Sequence, residues 1–204
     1  MSRGILIVIS GPSGAGKGTV CKELLKDEPT LHLSISATTR KPRMGETDGV
    51  NYYFVDRGKF EDMVKRDQFL EWAEVYGNYY GTPKTFVEDQ LNSGNDVILE
   101  IDIQGAMKAK QKFPDGVFIF IVPPSLNELK KRIKKRATET MKEIELRSSK
   151  APSEMKYFSK YDYVVINDDV QIAAHKVLSI LTAEKCKVKR HVEELYSNIV
   201  KTKE

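Results

Sequence analysis

The chain has 204 residues, 40 % of them hydrophobic and 30 % charged, the balance of a soluble protein with one core and room for insertions. No apolar run reaches bilayer-spanning length and none reads as a secretory leader. The two cysteines, Cys21 and Cys186, make no disulfide framework, so a cytoplasmic protein with reduced, partly buried thiols is expected. The net charge of +4 suits either nucleic acid or a small polyanion, and His32, His175 and His191 have no ligand spacing, so no protein-built metal site is expected.

In chain order, residues 5–9, Ile-Leu-Ile-Val-Ile, read as a buried parallel strand. The segment Ser10-Gly11-Pro12-Ser13-Gly14-Ala15-Gly16-Lys17-Gly18-Thr19 follows, and a helix is predicted over residues 17–26 with Val20, Leu24 and Leu25 on one face. Strand, glycine loop and helix are the context of a phosphate-binding P-loop. Glycines let backbone N–H groups turn inward around phosphate oxygens, the helix N-terminus adds partial positive charge, and Lys17 reaches the β- and γ-phosphates. The common form has Ser or Thr directly after the lysine as a Mg²⁺ ligand. Here Gly18 stands there and Thr19 comes one later. Mg²⁺ is therefore expected to be held mainly by nucleotide phosphates and water.

Beyond the loop, residues 31–36 read as a short strand, 38–49 as a polar turn-rich segment, 52–55 as a strand and 60–66 as a helix opened by Asp56. Residues 69–76 and 78–81 form a predicted hairpin, 83–93 a helix, 97–101 a buried strand with acids at its end, 106–113 a helix and 117–122 another buried strand. Helices over 125–136 and from about 139 to 150, a strand over 163–166 and a helix from 170 to about 197, with Val177, Leu181 and Val188 on its apolar face, complete the chain; residues 201–204 read as a frayed tail. Strands alternating with helices imply a parallel doubly wound sheet. Right-handed crossovers then bring residues 11–19, 100–105 and 123–124 to one cleft.

A second anion site is readable downstream. Arg40 and Arg43 flank Pro42, with Tyr52 and Tyr80 further on; guanidinium forks bind phosphate bidentately and phenolic hydroxyls complete its coordination. A solvated basic loop would look similar in composition. Glu71 and Asp102 sit between large apolar residues. Such an acid is either on the solvent face of a strand or a reader of a base. Guanine offers two adjacent donors, N1–H and the N2 amino group, to one carboxylate, whereas adenine would leave it unpaired.

Together these residues resemble the guanylate kinase family. The matching pieces are Gly-Pro-Ser-Gly-Ala-Gly-Lys-Gly-Thr at 11–19, Ser-Ala-Thr-Thr-Arg-Lys-Pro-Arg at 36–43, Gly-Glu-Thr-Asp-Gly-Val-Asn-Tyr at 45–52, Glu-Trp-Ala-Glu-Val-Tyr-Gly-Asn-Tyr-Tyr-Gly-Thr at 71–82, Glu-Ile-Asp-Ile-Gln-Gly at 100–105 and Ile-Asn-Asp-Asp at 166–169. The resemblance implies an ATP:GMP phosphotransferase that uses Mg²⁺, with GMP and dGMP as acceptors, no nucleic acid or membrane partner, and a monomeric or homo-oligomeric state. By the same resemblance, Gly11, Pro12, Ser13, Gly14, Ala15, Gly16, Lys17, Gly18 and Thr19 hold ATP, and Asn167 and Asp168 lie on its adenine side. Arg40, Arg43, Tyr52 and Tyr80 hold the GMP phosphate, and Ser36, Glu71, Thr82 and Asp102 read guanine. Transfer is expected to rest on Lys17, Arg43 and the lid arginines Arg132, Arg136 and Arg147, with Lys130, Lys131, Lys134 and Lys135 facing solvent. The implied fold is α/β: a P-loop NTPase-type parallel sheet flanked by helices (residues 1–36, 87–126 and 158–204), with a small mixed α/β GMP-binding insert (37–86) and a helical lid (127–157). Two rival readings share the scaffold, a ribose bisphosphate phosphokinase-like enzyme and a non-catalytic interaction module.

Overall fold

The computed structural model describes residues 3–135 and 141–196, without the side chains of residues 135, 141–143, 193 and 194; Arg136 and the tail therefore lie outside the described residues. The elements run β1 (Leu6–Ser10), α1 (Lys17–Asp27), β2 (His32–Leu33), β3 (Ala37–Thr38), β4 (Tyr53–Phe54), α2 (Arg57–Lys65), β5 (Phe69–Val75), β6 (Asn78–Pro83), α3 (Lys84–Asn92), β7 (Val97–Glu100), α4 (Ile103–Lys112), β8 (Val117–Val122), α5 (Leu126–Lys135), α6 (Met141–Met155), β9 (Tyr163–Ile166), α7 (Val170–Lys185) and α8 (Val192–Leu195).

Strands β2-β7-β1-β8-β9 form a parallel sheet in that order, with β1 central. The unbroken apolar run of β1 is explained by burial on both faces. Ile5, Ile7 and Ile9 pack with Val20, Leu24, Val177 and Leu181 from α1 and α7. Leu6 and Val8 face the other way, onto Val87, Leu91, Ala106 and Ala109 from α3 and α4. A second sheet, β4-β3-β6-β5, pairs β3 with β6 and β5 with β6 antiparallel. It has its own core, in which Phe60 of α2 stacks on Phe69 with ring centroids 4.5 Å apart. Helices α5 and α6 bury a third cluster, Leu129, Ile133, Ile144 and Ala151.

Four sequence expectations change. The strand expected over 31–36 is split: β2 stays in the parallel sheet and β3 joins the second one, because the chain crosses between sheets after Ser34, whose N–H donates to Ile98 O. The helix expected at 106 starts at Ile103, since the Asp102 carboxylate accepts from the N–H groups of Gln104 and Gly105 and caps it. The helix expected to end at 150 runs to Met155, carrying Pro152 within it, because Ala151 still packs on α5. The last long helix stops at Lys185. Glu184, buried there, accepts from the Tyr163 hydroxyl at 2.6 Å and pairs with Lys187 and Arg190, which turns the chain back over the helix end. Val188 is consequently exposed rather than part of an apolar face, and Cys186 is exposed while Cys21 is buried.

Candidate active site

The C-terminal ends of β1 and β7, the second sheet and α6 enclose one cavity of about 680 Å³. On its first wall, Gly11, Ser13, Gly14, Gly16 and Lys17 line the space. The loop is held open by sterics that only glycine tolerates. Gly16 caps α1 in the left-handed region at φ +89°, and a Cβ there would stand 2.3 Å from Asn167 Nδ2. That amide donates to Ala15 O at 2.8 Å, and Arg132 Nη1 donates to Asn167 O at 2.9 Å, so the end of β9 braces the loop from behind. Lys17 Nζ donates to Gly11 O at 2.7 Å and to Pro12 O at 3.2 Å, holding the ammonium across the loop.

Gly18 faces a carboxylate. A Cβ at this position would lie 3.2 Å from Glu100 Oε2 and 3.3 Å from Oε1. A side chain at position 18 would therefore meet the Glu100 carboxylate, which lines the cavity.

The facing wall comes from the second sheet and its loops. Arg40 is gripped by Glu46 through two 2.6 Å hydrogen bonds, and Glu46 Oε2 also accepts from the Arg43 N–H at 2.7 Å, so one carboxylate sets both arginine positions. The Arg40 guanidinium also lies over the Tyr52 and Phe54 rings, 4.9 and 5.5 Å from their centroids. Burial opposes its charge, but Glu46, Tyr80 and Tyr52 outweigh that and hold its pKa above the ordinary arginine value. Burial, with Glu100 and Tyr80 nearby, pushes the Tyr52 hydroxyl up to about 12, so it remains a donor throughout the neutral range.

Glu71, the possible solvent-face acid, is 4 % exposed. The Thr82 hydroxyl donates to its Oε1 at 2.6 Å. A Cβ on Gly105 would stand 2.4 Å from its Oε2, so the carboxylate rests directly on the start of α4. Burial raises its pKa to about 7 against the Thr82 hydrogen bond, and neighbouring Asp102 adds to the rise. Asp102 lines the cavity beside it while capping α4, and Ser36 lines it as well.

Of the remaining predicted residues, Arg147 reaches the cavity and donates to Ser13 Oγ at 3.0 Å. Arg132 approaches the loop through Asn167 and an ion pair with Glu128, without lining the cavity. Pro12, Ala15, Gly18, Thr19, Thr82, Asn167, Asp168 and residues 123–124 also stand off its lining; Asn167 is a buried brace and Asp168 is exposed. Lys130, Lys131 and Lys134 are exposed as expected. Sequence reasoning assigned no role to Glu46, Glu100, Tyr76 or Glu154. Glu46 and Glu100 stood inside the quoted motifs, but their pairing with Arg40 and Gly18 has no local signature. Among the described residues no group of three or more His, Cys, Asp or Glu has metal-holding geometry, and no helix is long and apolar enough to cross a membrane.

A glycine-rich loop with its lysine sharing one cavity with two arginines and a buried carboxylate is a layout that suits a P-loop kinase of nucleoside monophosphates. The sequence profile of the guanylate kinase family matches residues 3–184. A guanylate kinase of Caldanaerobacter subterraneus is 61 % identical over 97 % of this chain and 95 % of that protein, and one of Clostridium perfringens is 57 % identical over 100 % and 92 %. The crystal structure of guanylate kinase from Anaplasma phagocytophilum superposes with a TM-score of 0.81 at 37 % identity, covering 97 % of this chain and 96 % of that one. The chain belongs to the guanylate kinase family and is an ATP:GMP phosphotransferase. The phosphokinase and interaction-module readings fall away.

Proposed function

We propose that the two walls of the cavity are the two nucleotide sites, and that transfer occurs across the gap between them. The observation that carries this reading is the convergence of Lys17 and the loop glycines with Arg40, Arg43, Tyr52, Tyr80 and Glu71 on one cavity. On the donor side, the amides of residues 11–19 and Lys17 hold the ATP phosphates, with Asn167 and Asp168 toward the adenine. On the acceptor side, Arg40 and Arg43 fork onto the GMP phosphate and the Tyr52 and Tyr80 hydroxyls complete its shell. Glu71 accepts from guanine N1–H and N2, aimed by Thr82, with Ser36 and Asp102 beside it. The site excludes AMP because adenine would leave the buried carboxylate unpaired. dGMP is taken as a second acceptor in this reading.

The residues at hand need no general base. The nucleophile is a phosphate oxygen with a second pKa of about 6, ionised at neutral pH. The work is to bring two polyanions together and to neutralise charge on a loose transition state, which Lys17, Arg43, Arg132 and Arg147 do by position and charge; Arg136, outside the described residues, belongs to the same set by resemblance. The donor set fits a hydrated Mg²⁺: Gly18 offers no hydroxyl, and the Glu100 carboxylate facing it supplies an acceptor for metal-bound water. Held there, such an ion would supply positive charge to offset the negative charge developing on the phosphates. Residues 37–86 act as the GMP-binding insert and 127–157 as the lid on a core of 1–36, 87–126 and 158–204. In this reading the basic residues serve nucleotides, not nucleic acid, in the cytoplasm.

The test is ADP release from ATP with GMP, dGMP, AMP or UMP, in the unmodified chain and in Glu71→Gln. Turnover with GMP and dGMP but not AMP or UMP, and a GMP-to-AMP preference reduced about 100-fold in the variant, is the expected pattern. An unchanged preference in Glu71→Gln removes the base-reading role.

A further inference from the structure

The turn between β5 and β6 holds Tyr76 at φ +51° and Gly77 at φ +80°. A two-residue hairpin turn with both φ values positive favours Asn or Asp followed by Gly, and a bulky aromatic at its first position is an outlier. Strain of this kind persists where the side chain has a use that offsets it. Here the ring points at α6. Arg147 Cζ lies 5.0 Å and Lys150 Nζ 4.8 Å from its centroid, and its hydroxyl is 3.5 Å from Glu154 Oε1. Positions 147, 150 and 154 share one helix face. The same face meets the phosphate loop: Arg147 donates to Ser13 Oγ at 3.0 Å, and Glu154 Oε2 accepts from the Ser13 N–H at 3.3 Å.

The hairpin is anchored along β5, close behind the turn. Gln104 Nε2 donates to Glu74 O at 3.2 Å and Lys108 Nζ to Trp72 O at 2.6 Å, tying β5 to α4 and the core. The arm that carries Glu71 therefore ends in an aromatic ring against the helix that carries Arg147. We propose that Tyr76 is a positioning residue for phosphoryl transfer: its ring, held out by the strained hairpin tip, seats Arg147 over the phosphate loop and links the acceptor half of the site to the placement of a donor-side arginine. This rests on the reading of Arg147 as part of the transfer machinery. Tyr76 touches no reacting atom in that reading; it acts through Arg147.

The experiment is steady-state kinetics of the full chain with ATP and GMP, alongside thermal unfolding, for Tyr76→Asn, Tyr76→Phe, Arg147→Ala and the double variant Tyr76→Asn/Arg147→Ala. Asn suits the turn, so folding is maintained or improved. In Tyr76→Asn, kcat falls about tenfold, the scale of a cation–ring contact, while the KM for GMP moves less than about twofold. Tyr76→Phe keeps the ring and stays within about twofold of the unmodified kcat. The double variant is no slower than Arg147→Ala alone. A full kcat in Tyr76→Asn, a loss in Tyr76→Phe equal to that in Tyr76→Asn, or additive losses in the double variant would overturn the proposal. An Arg147→Ala enzyme with unchanged kcat would instead remove the reading of Arg147, and the proposal with it.

Discussion

The two walls of the cleft are built from different materials. The phosphate loop is a backbone device: its shape follows from Gly16 in the left-handed region, its rigidity from the Asn167 brace, and Lys17 is tied to the loop's own carbonyls. The acceptor wall is a side-chain device. Arg40 is placed by Glu46 and by the Tyr52 and Phe54 rings, and Glu71 by Thr82 and the bare backbone of Gly105. A backbone cradle suits any polyphosphate and discriminates little. Side chains fixed by other side chains offer donors and acceptors at set positions, which is what distinguishing one base from another requires. In the proposed reading, choice of base therefore rests on the acceptor wall, and the loop supplies the donor's phosphate site.

Single changes on each wall test that division. Lys17→Met, on the backbone side, is expected to lower kcat on the order of 10³-fold with every acceptor alike, since it removes the charge that the proposed function gives to the transferring group. A loss confined to GMP would contradict the division. Arg40→Ala is expected to raise the KM for GMP by about 10- to 100-fold, the worth of a charge-assisted pair, with little change in the KM for ATP. It also leaves Glu46 without its partner, so part of the effect passes through Arg43, whose N–H the same carboxylate accepts. Equal changes for both nucleotides would put Arg40 outside the acceptor site.

The smallest expected effect concerns pH. The Glu71 carboxyl, raised from 4.5 to about 7 chiefly by burial, must in the proposed reading be ionised to accept both guanine donors. Apparent affinity for GMP should rise with pH and level off above about 7, with a rise beyond what ionisation of its phosphate near about 6 produces, whereas ATP affinity shows only the phosphate's share. The stability of the substrate-free protein carries the opposite sign. A group whose folded pKa is raised contributes stability that is fully present below 4.5 and is lost as pH rises through about 7. Glu71→Gln should abolish the stability trend and leave in the affinity only the ionisation of the GMP phosphate itself, near a pKa of about 6. Titration calorimetry for GMP and thermal unfolding across pH 5–8 measure the two signs separately, and parallel trends would show that another group titrates.

Much of this was legible in the chain. The run of residues 5–9 could only be a strand covered on both faces, and the glycines and lysine after it left one arrangement open. Asp56 was readable as a helix cap, and its side chain does accept from the Lys59 N–H at 2.8 Å. Local signals failed where long-range contacts chose between outcomes. Residues 31–36 have the composition of one strand, yet two sheets compete for them. Val188 fits the helical period of α7, but Glu184 gathers Tyr163, Lys187 and Arg190 and ends the helix first. Glu154 carries no motif; it meets Ser13 across 141 positions of sequence.

By itself the sequence determined which groups the protein has for its chemistry: a phosphate loop lacking the usual hydroxyl, paired arginines and an acid between apolar neighbours. Motifs survive in a linear string because each is set by backbone conformation over a few consecutive residues. Only the tertiary structure decided what those groups do to one another. It put Glu100 against Gly18, raised Glu71 by burying it, gave Arg40 its carboxylate and rings, and brought Tyr76 to Arg147. Charge, desolvation and reach depend on distance in space, and the chain crossing from one sheet to the other sets those distances.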